Sequence, residues 1–498
     1  MSIECAQNKS NDDPASTAGN PADQSADIPL CIDLDGTLLR INTLHEAAVA
    51  AVFSDWSNLL RLPLWLGRGR AVLKRELAKR WRFEPATLPY NQALLERLRA
   101  DKSAGRKIVL VTAADEIVAR PIANHIGIFD EVLASDGTIN LRGKRKAELL
   151  CARFGERGFA YAGNDSTDHA VWKKASDVIV VNANGTTARS VAQRYPGATA
   201  LNERNSRIAA LIRAMRPYQW VKNAFVLVPL FTSGGIDDLN AWVRSLVAMA
   251  AFCAVASSIY LLNDISDISA DRAHARKRAR PFASGSLDIV TGLAAFPFLA
   301  AAGAAMAIWS SAWPAVGIYA FLSLAYTARL KEMPLVDVFI LAALYTLRLE
   351  GGGEASGHAV SLWLLGFSSF LFIGLALIKR VAELERLRQA GKIDMAARRG
   401  YSVKDIQVLQ MFGVGSTFAS AVILSLYIQS QTAERMYRQP ELLWFLIPLL
   451  LFWQCRLWLS TARGYMHDDP IVYTARDWVS WIVFFSVGIA VLAARGLP

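Results

Sequence analysis

Residues 241–281 read AWVRSLVAMAAFCAVASSIYLLNDISDISADRAHARKRARP. The stretch 241–262 is an apolar run long enough to cross a ~30 Å hydrocarbon core. It stops at three aspartates, Asp264, Asp267 and Asp271, and then at five cations, Arg272, Arg276, Lys277, Arg278 and Arg280. If 263–271 continues a helix at ~100° per residue, the three carboxylates fall within about 60° of one another. Carboxylates on one helical face repel unless something positive lies among them. Mg²⁺ is the expected occupant, because it takes oxygen ligands and binds through a few carboxylates plus substrate phosphates. The cations would neutralise the remaining phosphate charge. For the basic half alone, an ordinary solvated cytoplasmic loop is a sufficient account. That account leaves the aspartates unexplained, since acidic residues beside a bilayer are costly without a role.

Outward from this stretch, the chain divides by composition. It is 53% hydrophobic with a mean hydropathy of +0.25, but residues 1–205 read as mixed and globular. From about 218 onward, apolar runs recur near the length of a membrane crossing. Nine spans are expected, near 219–233, 241–262, 288–309, 312–329, 334–351, 359–379, 407–429, 441–460 and 477–495. Lys and Arg concentrate in the loops 263–287, 330–333, 380–406 and 461–476, so these are expected on the cytoplasmic side of an inner membrane, together with the N-terminal half. The net charge of +11 fits basic cytoplasmic loops and anionic substrates. No nucleic-acid recognition motif accompanies it. The five cysteines have no CxxC or Cys/His spacing, so neither a disulfide framework nor a zinc site is indicated. Residues 1–26 are polar, without a signal-peptide apolar core, and are expected to be disordered.

The membrane half carries further polar groups where a span meets the cytoplasm or inside one. Lys222 follows Arg216 and Trp220 at the entry to the first span. Tyr326 and Lys331 flank the end of the fourth. Asp337 and Arg348 lie within an apolar segment, where ionisable residues are functional candidates by default. Met466 to Pro470 reads as a turn, with a solvated His467 preferred over a metal-binding one.

In the N-terminal half, IPLCIDLDGT (28–37) reads as a buried strand ending in a turn with two aspartates. Short apolar β-type runs follow at 108–111, 131–134, 159–162 and 178–182, separated by helical patterns. That alternation predicts a parallel α/β sheet binding ligands at the carboxyl ends of its strands. Residues 41–90 are helical in pattern, with apolar clusters and a basic amphipathic stretch from Lys74 to Arg82.

Asp33-Leu34-Asp35-Gly36-Thr37-Leu38, then Thr112, Lys146 and Gly163 to Asp168, resemble in order the four motifs of the haloacid-dehalogenase-like (HAD) phosphatase superfamily. The resemblance implies a Rossmann-like domain over 27–200, with 41–90 as a helical cap; the other reading of 41–90 is a helix lying on anionic lipid. It implies Asp33 as nucleophile, Asp35 as general acid/base, Thr112 and Lys146 on the phosphoryl oxygens, and Mg²⁺ held by Asp33, Asp168 and Asp165. Asn164 stands where the family often has an aspartate.

After a linker at 201–217, residues 218–498 resemble the UbiA-type intramembrane prenyltransferases, an all-α nine-helix transmembrane bundle. Asn263, Asp264, Asp267 and Asp271 match the first aspartate-rich motif. The second region, Tyr326…Lys331…Asp337, has one aspartate rather than a cluster. With RPxQWxKN at 216–223 and KRxxEL at 379–384, it is similar to the decaprenyl-phosphate phosphoribosyltransferase branch. The resemblance implies Mg²⁺–diphosphate at Asp264, Asp267 and Asp271 with Asn263 in support. Lys222, Arg272, Lys277, Arg280, Tyr326, Lys331, Asp337 and Arg348 would then line the substrates.

The expected function is bifunctional: transfer of 5-phosphoribose from phosphoribosyl diphosphate to a polyprenyl phosphate, then removal of the 5-phosphate. Two alternatives stand beside it. One is an aromatic prenyltransferase using an allylic diphosphate. The other is a membrane protein with a non-catalytic, regulatory HAD-like domain.

Overall fold

The computed structural model describes residues 28–183, 185–201, 206–233, 235–389, 391, 400–466 and 469–496. The expected disordered segment 1–26 and His467 lie outside the described residues. Two compact units result. The first takes residues up to Arg207 together with Ile268–Ile289; the second takes Ile208–Asp267 and Val290 onward.

The first unit is built on six parallel strands: β1 (Leu30–Ile32), β2 (Ile108–Asp115), β3 (Glu131–Ser135), β4 (Ala160–Gly163), β5 (Asp177–Val181) and β6 (Thr199–Leu201), in the order β3-β2-β1-β4-β5-β6. The register aligns Cys31 with Val109 and Tyr161. Alternation then sends Leu30, Ile32, Ile108, Leu110, Ala160 and Ala162 to one core, and Cys31, Val109, Val111 and Tyr161 to the other. Both faces are therefore covered, as a parallel sheet requires. The helices are α1 (Thr43–Ser54), α2 (Ser57–Gly67), α3 (Arg70–Ala78), α4 (Gln92–Ser103), α5 (Glu116–Ile126), α6 (Lys144–Phe154), α7 (His169–Trp172) and α8 (Gly185–Arg194). Helices α1 to α3 form the expected helical insertion between the first two motifs. Strand β6 was not expected: its three residues carry no apolar run, and pairing with β5 alone defines it. Strand order reverses between β1 and β4, which is where ligands bind in sheets of this kind.

Beyond the sheet come α9 (Arg207–Ala214), a 3₁₀ helix (Pro217–Leu227), α10 (Val228–Thr232), α11 (Leu239–Ser266), α12 (Ile268–Ala273), α13 (Ile289–Trp309), α14 (Trp313–Ala328), α15 (Val336–Ser356), α16 (Leu362–Gln389), α17 (Ile406–Ile428), α18 (Gln431–Met436), α19 (Leu446–Ala462), α20 (Pro470–Arg476) and α21 (Trp478–Arg495). Among the described residues, six helices are long and apolar enough to cross a membrane. The chain is a multi-pass membrane protein. The other three of the nine expected spans fall short for identifiable reasons. The first is the 3₁₀ helix broken into α10. The fourth, α14, has 16 residues, or ~24 Å of rise. The fifth, α15, carries Asp337, Arg348, Glu350 and Glu354.

Candidate functional site

In the first unit, β1 ends at Ile32 and the chain turns at once. The Asp33 amide donates to the Ala162 carbonyl at 3.0 Å, and the Leu38 amide returns to the Asp33 carbonyl at 3.2 Å. The turn brings Asp33 and Asp35 to one cavity of about 500 Å³, also lined by Lys146, Asn164, Asp165 and Asp168. Gly36 makes this possible. Its φ is +73°, and a Cβ there would lie 1.9 Å from the Asn164 side-chain nitrogen. Only glycine lets the first and fourth motifs approach so closely.

Lys146, buried on α6, donates to Asp33 Oδ1 and to the Tyr161 hydroxyl, both at 2.9 Å. Tyr161 in turn donates to Asp168 Oδ1 at 2.9 Å. The amides of Asn164 and Asp165 donate to Asp168 Oδ2. Asp35 accepts from the Thr43 amide at 2.8 Å and its hydroxyl at 3.2 Å, at the start of α1. Burial pushes the Asp33 carboxyl up, against the pull of Lys146. Burial also pushes Asp35 up, opposed by the Thr43 hydrogen bonds. Burial and then the charge of Asp33 push Asp168 up to about 6. Thr112 is fully buried within β2, three residues before its end, and its hydroxyl accepts from the Ala114 amide.

Among the described residues, no three side-chain donors are gathered at metal spacing. Asp33 and Asp168 are carboxylates of the kind a hard cation takes as oxygen ligands, and in the structure they accept from Lys146 and from Tyr161, Asn164 and Asp165 respectively. Asp165, expected as a ligand, instead caps a short 3₁₀ turn, accepting from the Ser166 amide at 2.6 Å. Tyr161 and Lys74 were not expected here. Lys74 lines the cavity and donates to the Ala113 carbonyl and to Asn140 Oδ1. Burial brings its amine down to about 8.

The segment 268–289 belongs to this unit and lines the same cavity through Phe282, Leu287, Asp288 and Ile289. Arg272, expected on a diphosphate, makes a buried bidentate pair with Glu46 of α1 at 2.7 and 3.0 Å, and donates to the Ala283 carbonyl. Asp271 pairs with Arg280 at 2.7 Å, and Lys277 is exposed.

In the second unit, Asp264 is buried against Arg216, and Asp267 stands 3.6 Å from Lys331. Asn263 occupies the last turn of α11. Lys222 meets Asp469 at 2.6 Å, and Lys379 meets the same carboxylate at 3.0 Å. Arg348 donates to Asn223 Oδ1 at 2.7 Å and to the Tyr319 hydroxyl at 3.2 Å. Asp337 and Tyr326 are joined through Arg380, and Tyr401 donates to Asp337 at 2.5 Å. The expected residues thus fall into separate ion-paired groups rather than one. The partners Arg216, Lys379, Arg380 and Asp469 were legible as motif or turn positions but not as members of these pairs. Their signal was ionisable side chains at the ends of apolar runs, a pattern that also describes ordinary interface anchors.

The chain joins a parallel-sheet α/β unit to a helical unit with six helices, among the described residues, long and apolar enough to cross a membrane. The UbiA prenyltransferase family matches residues 224–463, and the haloacid dehalogenase-like hydrolase family matches residues 30–167. The chain therefore carries a UbiA-type prenyltransferase domain with a HAD-like domain ahead of it. It is 37% identical over 462 residues to protein y4nM of Sinorhizobium fredii, covering 92% of this chain and 89% of that one. Nodulation protein NoeC of Azorhizobium caulinodans is 32% identical over 284 residues, covering 56% of this chain and 91% of NoeC. The decaprenyl-phosphate phosphoribosyltransferase of Mycolicibacterium smegmatis is 37% identical over 190 residues, covering 37% of this chain and 60% of that protein.

Proposed function

We propose that the chain is a bifunctional enzyme of an inner membrane, with both sites on the cytoplasmic side and a transmembrane half of nine spans. The membrane half transfers 5-phosphoribose from phosphoribosyl diphosphate to a polyprenyl phosphate. A lipid phosphate oxygen attacks the anomeric carbon, the bond from that carbon to the diphosphate breaks, and diphosphate leaves. Asp264, Asp267 and Asp271, with Asn263 in support, would hold Mg²⁺, which supplies positive charge to the departing diphosphate. Lys222, Lys331, Arg280 and Arg348 would reach phosphate oxygens by sharing or exchanging their present partners Asp469, Asp267, Asp271 and Asn223. Tyr326, Lys277 and Arg272 belong to the same proposal, with Arg272 acting through its anchorage on Glu46. The observation that carries this donor choice is Asp337. It stands as a single aspartate in the second region, joined to Arg380 and Tyr401, where an enzyme of allylic diphosphates would be expected to present a cluster. The similarity to decaprenyl-phosphate phosphoribosyltransferases supports the same choice.

The HAD-like unit then removes the 5-phosphate. Asp33 attacks phosphorus, the bond from phosphorus to the ribose C5 oxygen breaks, and Asp35 protonates that oxygen. Asp35 next takes a proton from the water that cleaves the aspartyl-phosphate. A carboxyl pushed up by burial suits this double role. Lys146 and Thr112 would position phosphoryl oxygens, and Asp33 and Asp168, with Asp165 nearby, would hold Mg²⁺, which would supply positive charge to those oxygens.

Product analysis by mass tests both halves, with the full chain in lipid supplied with phosphoribosyl diphosphate and decaprenyl phosphate. Asp33→Asn should accumulate the phosphorylated ribosyl lipid, and Asp264→Asn should make neither lipid. Product only from 4-hydroxybenzoate and a prenyl diphosphate would overturn the donor assignment. Free ribosyl lipid from Asp33→Asn, in a preparation without other phosphatases, would overturn the coupling.

A further inference from the structure

Helix α2 presents its apolar residues outward. Among the described residues, the large apolar side chains that the first unit exposes are Trp56, Leu59, Leu60, Leu64, Leu66 and Ile139. All but Ile139 lie on this one helix or its N-cap. At ~100° per residue, Trp56, Leu59, Leu60, Pro63, Leu64 and Leu66 occupy an arc of about 160°. Leu60 is 79% exposed, Leu64 68% and Trp56 64%. The opposite face attaches the helix to the fold. Asn58 is buried and donates to the Ala51 carbonyl at 2.9 Å, and Trp65 is buried under the Arg80 guanidinium at 4.5 Å. A soluble helix turns its polar face to water; this one turns Leu and Trp there.

The charges on the helix itself have one sign, and Asp55, bonded to Ser57 at its start, is the carboxylate that precedes it. From Trp56 to Arg70 the chain carries Arg61, Arg68 and Arg70 and no Asp or Glu, and all three arginines are exposed. Arg61 and Arg68 fall together on one flank of the apolar arc, about 120–140° from Trp56. An apolar arc centred on Trp56, with Arg along one flank, has the chemistry of a helix lying in a membrane interface. Anionic headgroups complement arginines that no carboxylate of this segment balances.

We propose that α2 is a membrane-surface anchor: it lies in the interface of an anionic bilayer with Leu59, Leu60, Leu64 and Leu66 toward the acyl chains. The helix belongs to the insertion whose next members, α1 and α3, supply Asn42, His45 and Lys74 to the Asp33 cavity. The hydrolase cavity is thereby held at a lipid surface through the insertion that borders it. This assignment stands whether or not the cavity hydrolyses a lipid-linked phosphate.

Hydrogen exchange of the full chain tests it, in nanodiscs of phosphatidylcholine alone or of phosphatidylcholine with phosphatidylglycerol. Amides of 56–68 should exchange roughly 25-fold more slowly in the anionic discs, since Arg61 and Arg68 on the flank each contribute on the order of fivefold at an anionic surface. Added salt should erase the difference. Leu60→Asp with Leu64→Asp should remove the protection of 56–68 and leave β2 amides unchanged, which shows the unit still folded. Equal exchange of 56–68 in both discs would overturn the proposal. So would protection that is indifferent to lipid charge and follows the number of protein copies per disc, which would mark a second copy as the occupant.

Discussion

Removing either partner of the Glu46–Arg272 pair should destabilise the first unit far more than breaking a surface pair would. Both side chains are buried, at 5% and 7% exposure. Two N–O contacts at 2.7 and 3.0 Å join them, and Arg272 Nε is satisfied by the Ala283 carbonyl at 3.0 Å. An exposed pair contributes about 0–1 kcal/mol. Truncating one member of a buried pair leaves the other charge desolvated and uncompensated, at about 3–5 kcal/mol. Arg272→Met and Glu46→Leu should each cost about that much. The double variant, with apolar groups of similar length on both sides, should recover most of it. Hydrogen exchange of the β1, β2 and β4 amides, in urea and with the full chain in nanodiscs, reads the cost. Transfer activity is a second readout, because Asp271 directly precedes Arg272. Singles costing under about 1 kcal/mol, or a double equal to their sum, would refute the buried-pair reasoning.

Four further outcomes are expected. Gly36→Ala should abolish phosphatase activity and spare transfer, because φ of +73° disfavours a side chain and its Cβ would meet Asn164; a phosphate-release assay beside a transfer assay checks this. Tyr161→Phe removes the hydroxyl between Lys146 and Asp168 and should lower phosphatase kcat by about 10–100-fold, in line with a lost positioning contact; steady-state kinetics decide it, and an unchanged kcat would show the contact to be idle. Asp168 titrates at about 6 in the fold and near 3.8 without it. The folded unit binds that proton more tightly, so the stability it confers is full below pH ~4 and is lost as pH rises through 6, by about 3 kcal/mol. Without divalent ions, exchange from the β4 amides should therefore be faster at pH 7.5 than at pH 5 after correction for intrinsic rates, and added Mg²⁺ should slow it. Asp337→Asn strips the carboxylate from Arg380 and should destabilise packing among α15, α16 and α17 by about 3–5 kcal/mol, seen as faster exchange of α16 amides; a silent substitution would argue against a structural pair.

The parallel sheet and the order of its motifs were legible because a buried strand is a short apolar run, and β1, β2, β4 and β5 each have one. Three-residue β6 lacks that run, so only its partner strand defines it. The turn bringing Asp33 and Asp35 together was legible from Asp-x-Asp-Gly. The reason for the glycine was not, because Asn164 is its neighbour only in space. In the membrane half, hydropathy marked the long helices, but it could not tell a kinked 3₁₀ segment or a charged α15 from a full crossing. Arg216, Lys379 and Arg380 were legible as motif positions but not as ion-pair partners for a related reason: a cation at the end of an apolar run has the same local pattern whether it anchors an interface or faces a carboxylate, and Asp469 read only as part of a turn.

The stretch 263–281 shows the division most clearly. Sequence alone determined that an apolar run ends in spaced aspartates and then cations, because periodicity and charge are local properties. It also determined the two family resemblances. Only the tertiary structure decided that the stretch divides after Asp267. Asp264 and Asp267 stay with Arg216 and Lys331 in the membrane unit, while Arg272 is anchored to Glu46 and Phe282 reaches the Asp33 cavity. Glu46 and Arg272 are separated by 226 positions. No local pattern encodes such a pair, because its stability comes from burying two opposite charges together, and burial is a property of the folded chain.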